Sequence, residues 1–135
     1  MAIQLSVDVR NNRLEAIETT TGTGAIMRIR TGAQPATCAT ADSGTVLATL
    51  TLPSDWMSNA SGGTKSLLGT WQDTAADATG TAAHYRIYDS AGTTCHLQGS
   101  VTATGGGGDI TVDNVSFATG QQFTITAFSL TDANA

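Results

Sequence analysis

Alternation of apolar and polar positions is clearest between Thr81 and Val101, in TAAHYRIYDSAGTTCHLQGSV. Two alternating runs flank Asp89-Ser90-Ala91-Gly92-Thr93, a loop that fits a type I turn closed by a glycine in the left-handed region. With Asp89 facing Thr93, the register predicts an apolar face of Ile87 with Cys95, Tyr85 with Leu97 and Ala83 with Gly99. The opposite face would pair Tyr88 with Thr94, Arg86 with His96 and His84 with Gln98, polar and more exposed.

The remaining pattern is arranged around this central hairpin, residues 81–101. Val7, Arg10, Leu14 and Ile17 recur at helical spacing, with Ser6 as N-cap and Asp8 in the first turn, which predicts one helix over about residues 6–20. Asn11 and Asn12 are poor helix formers, so packing should hold it, with Glu15 and Glu18 on its solvated face. Thr21-Gly22-Thr23-Gly24 is a stop signal. Ala25–Arg30 alternates as a strand with a cationic outer face, and Thr45–Leu52 reads as the most hydrophobic strand, with Val46, Ala48, Leu50 and Leu52 inward and Leu47 outward, ended by Pro53. Between them Thr31–Gly44 lacks periodicity and is long for a compact domain, which predicts an arm that packs on a neighbour.

Trp56, in a polar segment, reads as a plug under the sheet, with an interface anchor as the other possibility. Thr64–Trp71 predicts a strand, Thr102–Asp109 a flexible glycine connection, and Ile110–Val112 a short strand. In Gln121–Thr131 the apolar set changes parity between Phe123/Ile125 and Phe128/Leu130, as a bulge near Thr126-Ala127 would produce. About seven or eight short strands separated by turn signals predict a mainly β fold, an antiparallel β-sandwich or jelly roll with one N-terminal helix, as one domain over residues 1–135.

Composition sharpens this picture. Thr, Ala and Gly supply 59 of the 135 residues, against one Lys and two Glu, which argues against a mainly helical protein. A net charge of −5 lacks the footprint of a nucleic-acid binder. All six Lys and Arg lie at or before Arg86, so the C-terminal third is purely acidic. No run approaches a membrane span and Met1–Gln4 lacks a signal-peptide pattern, so synthesis and folding in a cytoplasm are expected. There Cys38 and Cys95 should stay free thiols, and the sequons at Asn59 and Asn114 carry no weight.

Candidate chemistry is thin. His84 and His96 share a face in the predicted register, but Cys95 points away and a tetrahedral metal site needs three or four convergent ligands. Gly105-Gly106-Gly107-Gly108-Asp109 falls short of the calcium-binding nonapeptide, because Thr104 stands at its first glycine and only one copy exists. No Lys-Ser or Lys-Thr follows for a phosphate loop, and no nucleophile elbow occurs. The expectation is a protein without catalytic residues, metal or cofactor.

VRNNRLEAIE, MRIRTGAQPAT, TVLATLTL, ASGG, DTAADATGTAAHYRIYDSAGT and DITVDNVSFATGQQFTITAFSLTDANA together resemble a family of small virion-associated proteins of tailed bacteriophages, over nearly the whole chain. The resemblance implies a structural protein of the virion, made in the host cytoplasm and carried on the capsid surface. It would be a decoration or cement protein whose partners are the major capsid protein and copies of itself, with neither nucleic acid nor membrane. The expected contact residues are Gln34, Pro35, Ala36 and Thr37 in the long loop and Gly105, Gly106, Gly107 and Gly108 in the glycine connection. The alternative is a tail- or head-borne adhesion module for host carbohydrate, with Tyr88 or Trp71 as an exposed aromatic platform.

Overall fold

The computed structural model describes residues 3–133; Met1, Ala2, Asn134 and Ala135 of the expected domain lie outside the described residues. Helix α1 spans Val7–Thr21. The Ser6 hydroxyl accepts the Val9 N–H at its start, and Gly22 ends it at φ 89° while donating to the Glu18 carbonyl. The strands that follow are β1 (Ile26–Arg30), β2 (Val46–Thr51), β3 (Thr64–Ser66), β4 (Trp71–Asp73), β5 (Gly80–Thr81), β6 (His84–Tyr88), β7 (Cys95–Ala103), β8 (Ile110–Val112), β9 (Ser116–Phe117), β10 (Phe123–Ile125) and β11 (Ser129–Thr131).

Five of them form one curled sheet in the order β2-β1-β6-β7-β8, a half-barrel, and three two-stranded ladders pair β10 with β4, β11 with β3 and β5 with β9. The mainly β class and the N-terminal helix agree with the sequence reading, but the sheet is mixed, and the whole is not clearly the antiparallel sandwich or jelly roll expected. The departure lies at β7 and β8, which run parallel with Val101 opposite Ile110. Parallel neighbours ordinarily need a crossover of a dozen or more residues. Here residues 104–109 suffice, because the glycines fold against Thr102: a Cβ on Gly106 or Gly108 would stand 2.7 or 2.8 Å from its side chain. Gly108 N–H donates to Thr102 Oγ1, and Asp109 Oδ2 accepts from Ser100 N–H and Oγ.

The core fills the concave side of the sheet. Met27, Ile29, Leu50, Tyr85, Ile87 and Val101 point into it and are buried. Opposite them stand the aromatics of the small ladders: Trp71 packs on Trp56 at 5.8 Å and on Phe128 at 5.2 Å between ring centroids, and Phe117 packs on Phe123 at 4.6 Å. Trp56 is the plug the sequence suggested, fully buried, its indole N–H donating to the Gly22 carbonyl. Leu47, expected outward, is buried as well, since residues 76–80 fold over it and Asp77 N–H donates to its carbonyl.

Two predicted strands are broken. Thr64–Trp71 divides into β3 and β4 around Gly69, at φ 76°. In Gln121–Thr131 the parity change is real, but it is made by a break between β10 and β11 rather than by a bulge, with Phe128 turned inward at the break.

The central hairpin has a register two residues away from the one expected. Ile87 lies opposite Leu97, Tyr85 opposite Gly99, Arg86 opposite Gln98 and His84 opposite Ser100. Gly99 leaves room for the Tyr85 ring, which a Cβ there would meet at 2.6 Å. The ladder is irregular beside Tyr88, which pairs with Cys95, so His96 is the extra residue. Cys95 is thereby moved from the apolar face to the face that carries Arg86.

Candidate functional site: a loop docked on the polar face of the sheet

Arg30, His84 and Arg86 project from the convex face of β1 and β6, yet all three are buried; Arg86 is 1% exposed. This corrects the expectation that His84 and Arg86 face solvent. Residues 31–44 cover them. The loop is not a free arm, because a buried guanidinium must find acceptors and this loop supplies them. Arg86 donates through Nη2 to the carbonyls of Cys38 and Thr37, through Nη1 to the Thr40 carbonyl and to Asp42 Oδ1, and through Nε to Cys95 Sγ at 3.2 Å. Arg30 Nη2 pairs with Asp42 Oδ2 at 2.9 Å, and the Tyr88 hydroxyl donates to Asp42 Oδ1 at 2.7 Å. Gln98 Nε2 donates to the Pro35 carbonyl and His84 Nδ1 meets the Gly32 carbonyl at 2.9 Å, so the loop is tied along its length.

The charges in this layer settle each other. Burial alone would raise the Asp42 carboxyl, but the Tyr88 hydroxyl, Arg30 and Arg86 outweigh it and hold Asp42 below the usual carboxylate range. Burial likewise works against the Arg86 guanidinium, and Cys95 and Asp42 more than restore its charge. Burial pulls His84 down, with Arg30 and Arg86 acting in the same direction, so the imidazole is neutral at pH 7 and its Nδ1–H is the donor to Gly32.

A second polar clamp holds the helix. Glu18 Oε1 accepts the N–H groups of Trp56 and Met57, Glu15 Oε1 accepts that of Ala60, and Asn11 Oδ1 that of Gly63. The second oxygens of both Glu meet Lys65 Nζ at 2.8 and 2.9 Å, and the Lys65 side chain is fully buried. The Ala60 N–H and then Lys65 hold the Glu15 carboxyl below its usual range. Glu15 and Glu18 are therefore pins between helix and sheet, not a solvated face.

Comparison with protein-family models, with curated proteins and with solved structures finds no match to this chain.

The expected contact residues are differently placed. Gln34, Ala36 and Thr37 are exposed on the outer side of the docked loop, while Pro35 is buried against the sheet. Gly105, Gly106 and Gly107 are exposed at the tip of the β7–β8 return, and Gly108 is half-buried against Thr102. The aromatic platform for carbohydrate does not exist as envisaged: Tyr88 is 2% exposed and Trp71 is fully buried. His84 lies under the loop, whereas His96 borders a shallow groove with Arg13 and Ile17 of the helix, so the two do not converge. Among the described residues no three of His, Cys, Asp and Glu are grouped to hold a metal ion.

Sequence reasoning missed both clamps and the approach of Cys38 to Cys95. One signal was available for the first: Arg28, Arg30 and Arg86 lie in neighbouring strands of a chain with only six cations, and Asp42 is the one acid in the intervening loop.

Proposed function

We propose that this chain is a structural protein of a tailed-phage virion, a capsid decoration or cement protein that binds the major capsid lattice and carries no catalytic chemistry. One observation carries the reading. The three buried cations are neutralised from within the chain, Arg30 and Arg86 by Asp42 of the covering loop and Lys65 by Glu15 and Glu18 of the helix. These pairs cancel among themselves, so the net charge of −5 stays outside on scattered acids such as Asp8, Asp55, Asp77, Asp109 and Asp113, while the exposed residues Gln34, Ala36, Thr37 and Gly105–Gly107 carry no charge of their own, which suits docking by shape. Contacts of this kind are weak singly and add up when a shell presents the same site many times.

On this reading the loop edge at Gln34, Ala36 and Thr37 and the glycine tip at Gly105–Gly107 meet the lattice. Both are rigidly backed, the first by Arg86 and Gln98 and the second by Thr102 and Asp109. The sequence resemblance supports the same assignment.

The test is to mix the purified chain with phage shells lacking it, sediment them, and image the product by electron microscopy. Density repeated over the shell surface is expected. No co-sedimentation, or a few copies confined to the tail tip, would overturn the reading.

A further inference from the structure

The chain has two cysteines, 57 positions apart, and the fold brings them to one guanidinium. Arg86 offers Nε–H and an Nη2–H along one edge of its planar fork, and such parallel donors hold two acceptors side by side. One acceptor is Cys95 Sγ, at 3.2 Å; the other is the main-chain carbonyl of Cys38, at 2.8 Å. The Cys38 side chain faces the Cys95 sulfur, and desolvation followed by that sulfur pushes the Cys38 thiol up to about 11. Both residues are free and half-buried, open to a small reagent.

We infer that Cys38 and Cys95 form a built dithiol site that closes, in the folded protein, to a disulfide stapling the docked loop to strand β7 on exposure to a small-molecule disulfide. Neither the fold nor the geometry of the pair depends on the virion assignment. Cys95 gives up its proton and its sulfur attacks one sulfur of the reagent; a mixed disulfide forms and one thiolate leaves. Cys38 then gives up its proton and attacks the Cys95 sulfur, expelling the second thiolate. Two protons and two electrons pass from the protein to the reagent, which ends as two thiols. Arg86 grips the carbonyl of Cys38 and not its sulfur, so the new bond leaves that hydrogen bond in place.

The arrangement also says what the staple would hold. Cys38 sits in the middle of the stretch whose carbonyls satisfy Arg86, so the bond would secure the cover over the buried cations. In a reducing cytoplasm it stays open; outside the cell it closes.

The experiment treats the reduced, folded protein with oxidised glutathione and follows free thiols and intact mass. Both thiols should disappear together, the mass should fall by two hydrogens, and trypsin, which cuts between them at Lys65 and Arg86, should release one linked pair of peptides containing Cys38 and Cys95. Closure should be on the order of tenfold or more faster than in the denatured chain, where the two sulfurs meet only by diffusion. The melting temperature should rise by about 5–15 °C on closure and return with dithiothreitol. Cys95→Ser should show neither the mass loss nor the rise; since the main readout is on the unaltered protein, a folding defect in that variant does not blunt the test. Stable glutathione adducts on both sulfurs, a cross-link between two copies, or closure only in denaturant would each overturn the inference.

Discussion

Asp42 and Arg86 are ion-paired across the convex face of the sheet, 44 positions apart in the chain. The loop thereby becomes part of the folded structure, and its removal would strand two buried cations. Asp42→Asn should destabilise the protein by about 2–3 kcal/mol in urea unfolding, somewhat less than the loss of a wholly buried partner, since the Asp42 side chain keeps 38% of its exposure. Combining it with Arg86→Met should be clearly less than additive. Additive losses would mean that the two residues act separately.

Stability should fall in two stages with acidity. The folded-state pKa of His84 is depressed below 6.5, so its contribution is complete above that value and declines as pH drops toward the folded pKa. Asp42 and Glu15 are depressed below 3.8 and 4.5, so theirs persists through the first stage and is lost at lower pH. Urea midpoints measured from pH 8 to pH 3 check this, and in His84→Gln the upper stage should vanish while the lower one remains.

The β7–β8 return should be intolerant of side chains at alternate glycines. Gly108→Ala places its Cβ 2.8 Å from Thr102 Cγ2 and 3.1 Å from the Thr102 nitrogen, which should cost about 1–3 kcal/mol. Thr102→Ala should recover part of it by removing the methyl. Gly105, at φ 87° with nothing near its missing Cβ, meets only backbone strain, about 1 kcal/mol for Ala. Thermal melts of the three variants rank them.

Lys65→Met should loosen the helix without abolishing it. The two Glu lose their shared cation but keep the N–H groups of Ala60, Trp56 and Met57, so the loss should be about 2–4 kcal/mol. Because the Trp56 indole donates to Gly22 at the helix end, its fluorescence should shift toward that of a solvated indole before global unfolding. A spectrum unchanged up to the main transition would show that the clamp and the Trp56 plug are independent.

The helix, the strands at 26–30, 46–51 and 110–112, the Trp56 plug and the parity change near Phe128 were legible because each is written in a local period or a stop signal. The hairpin register was not. Turn chemistry at Asp89–Thr93 pointed to one pairing, whereas the need to seat the Tyr85 ring over Gly99 and to expel His96 as an extra residue selected another. Burial of His84 and Arg86 was hidden for a different reason: the period shows that a strand has two faces, but not that a distant loop of Thr, Ala and Gly will cover the polar one. At the candidate site, Gln34 and the glycine tip could be named from sequence; the buried Pro35 and the meeting of the cysteines depended on tertiary placement.

The last eleven described residues, 123–133, set the timing of much that precedes them. Phe123–Ile125 complete the ladder with Trp71–Asp73, the Phe128 carbonyl accepts the Leu67 N–H, and Asp132 donates its N–H to Gly63 while its carboxylate holds Arg13 of the helix. Until that segment is present, the helix at the front and the short strands in the middle have no third partner. Non-local pairings of this kind form late and slowly. During synthesis, then, the growing chain carries Trp56 and Trp71 without their full cover until residues 123–132 have left the ribosome, and the fold closes only after that segment emerges.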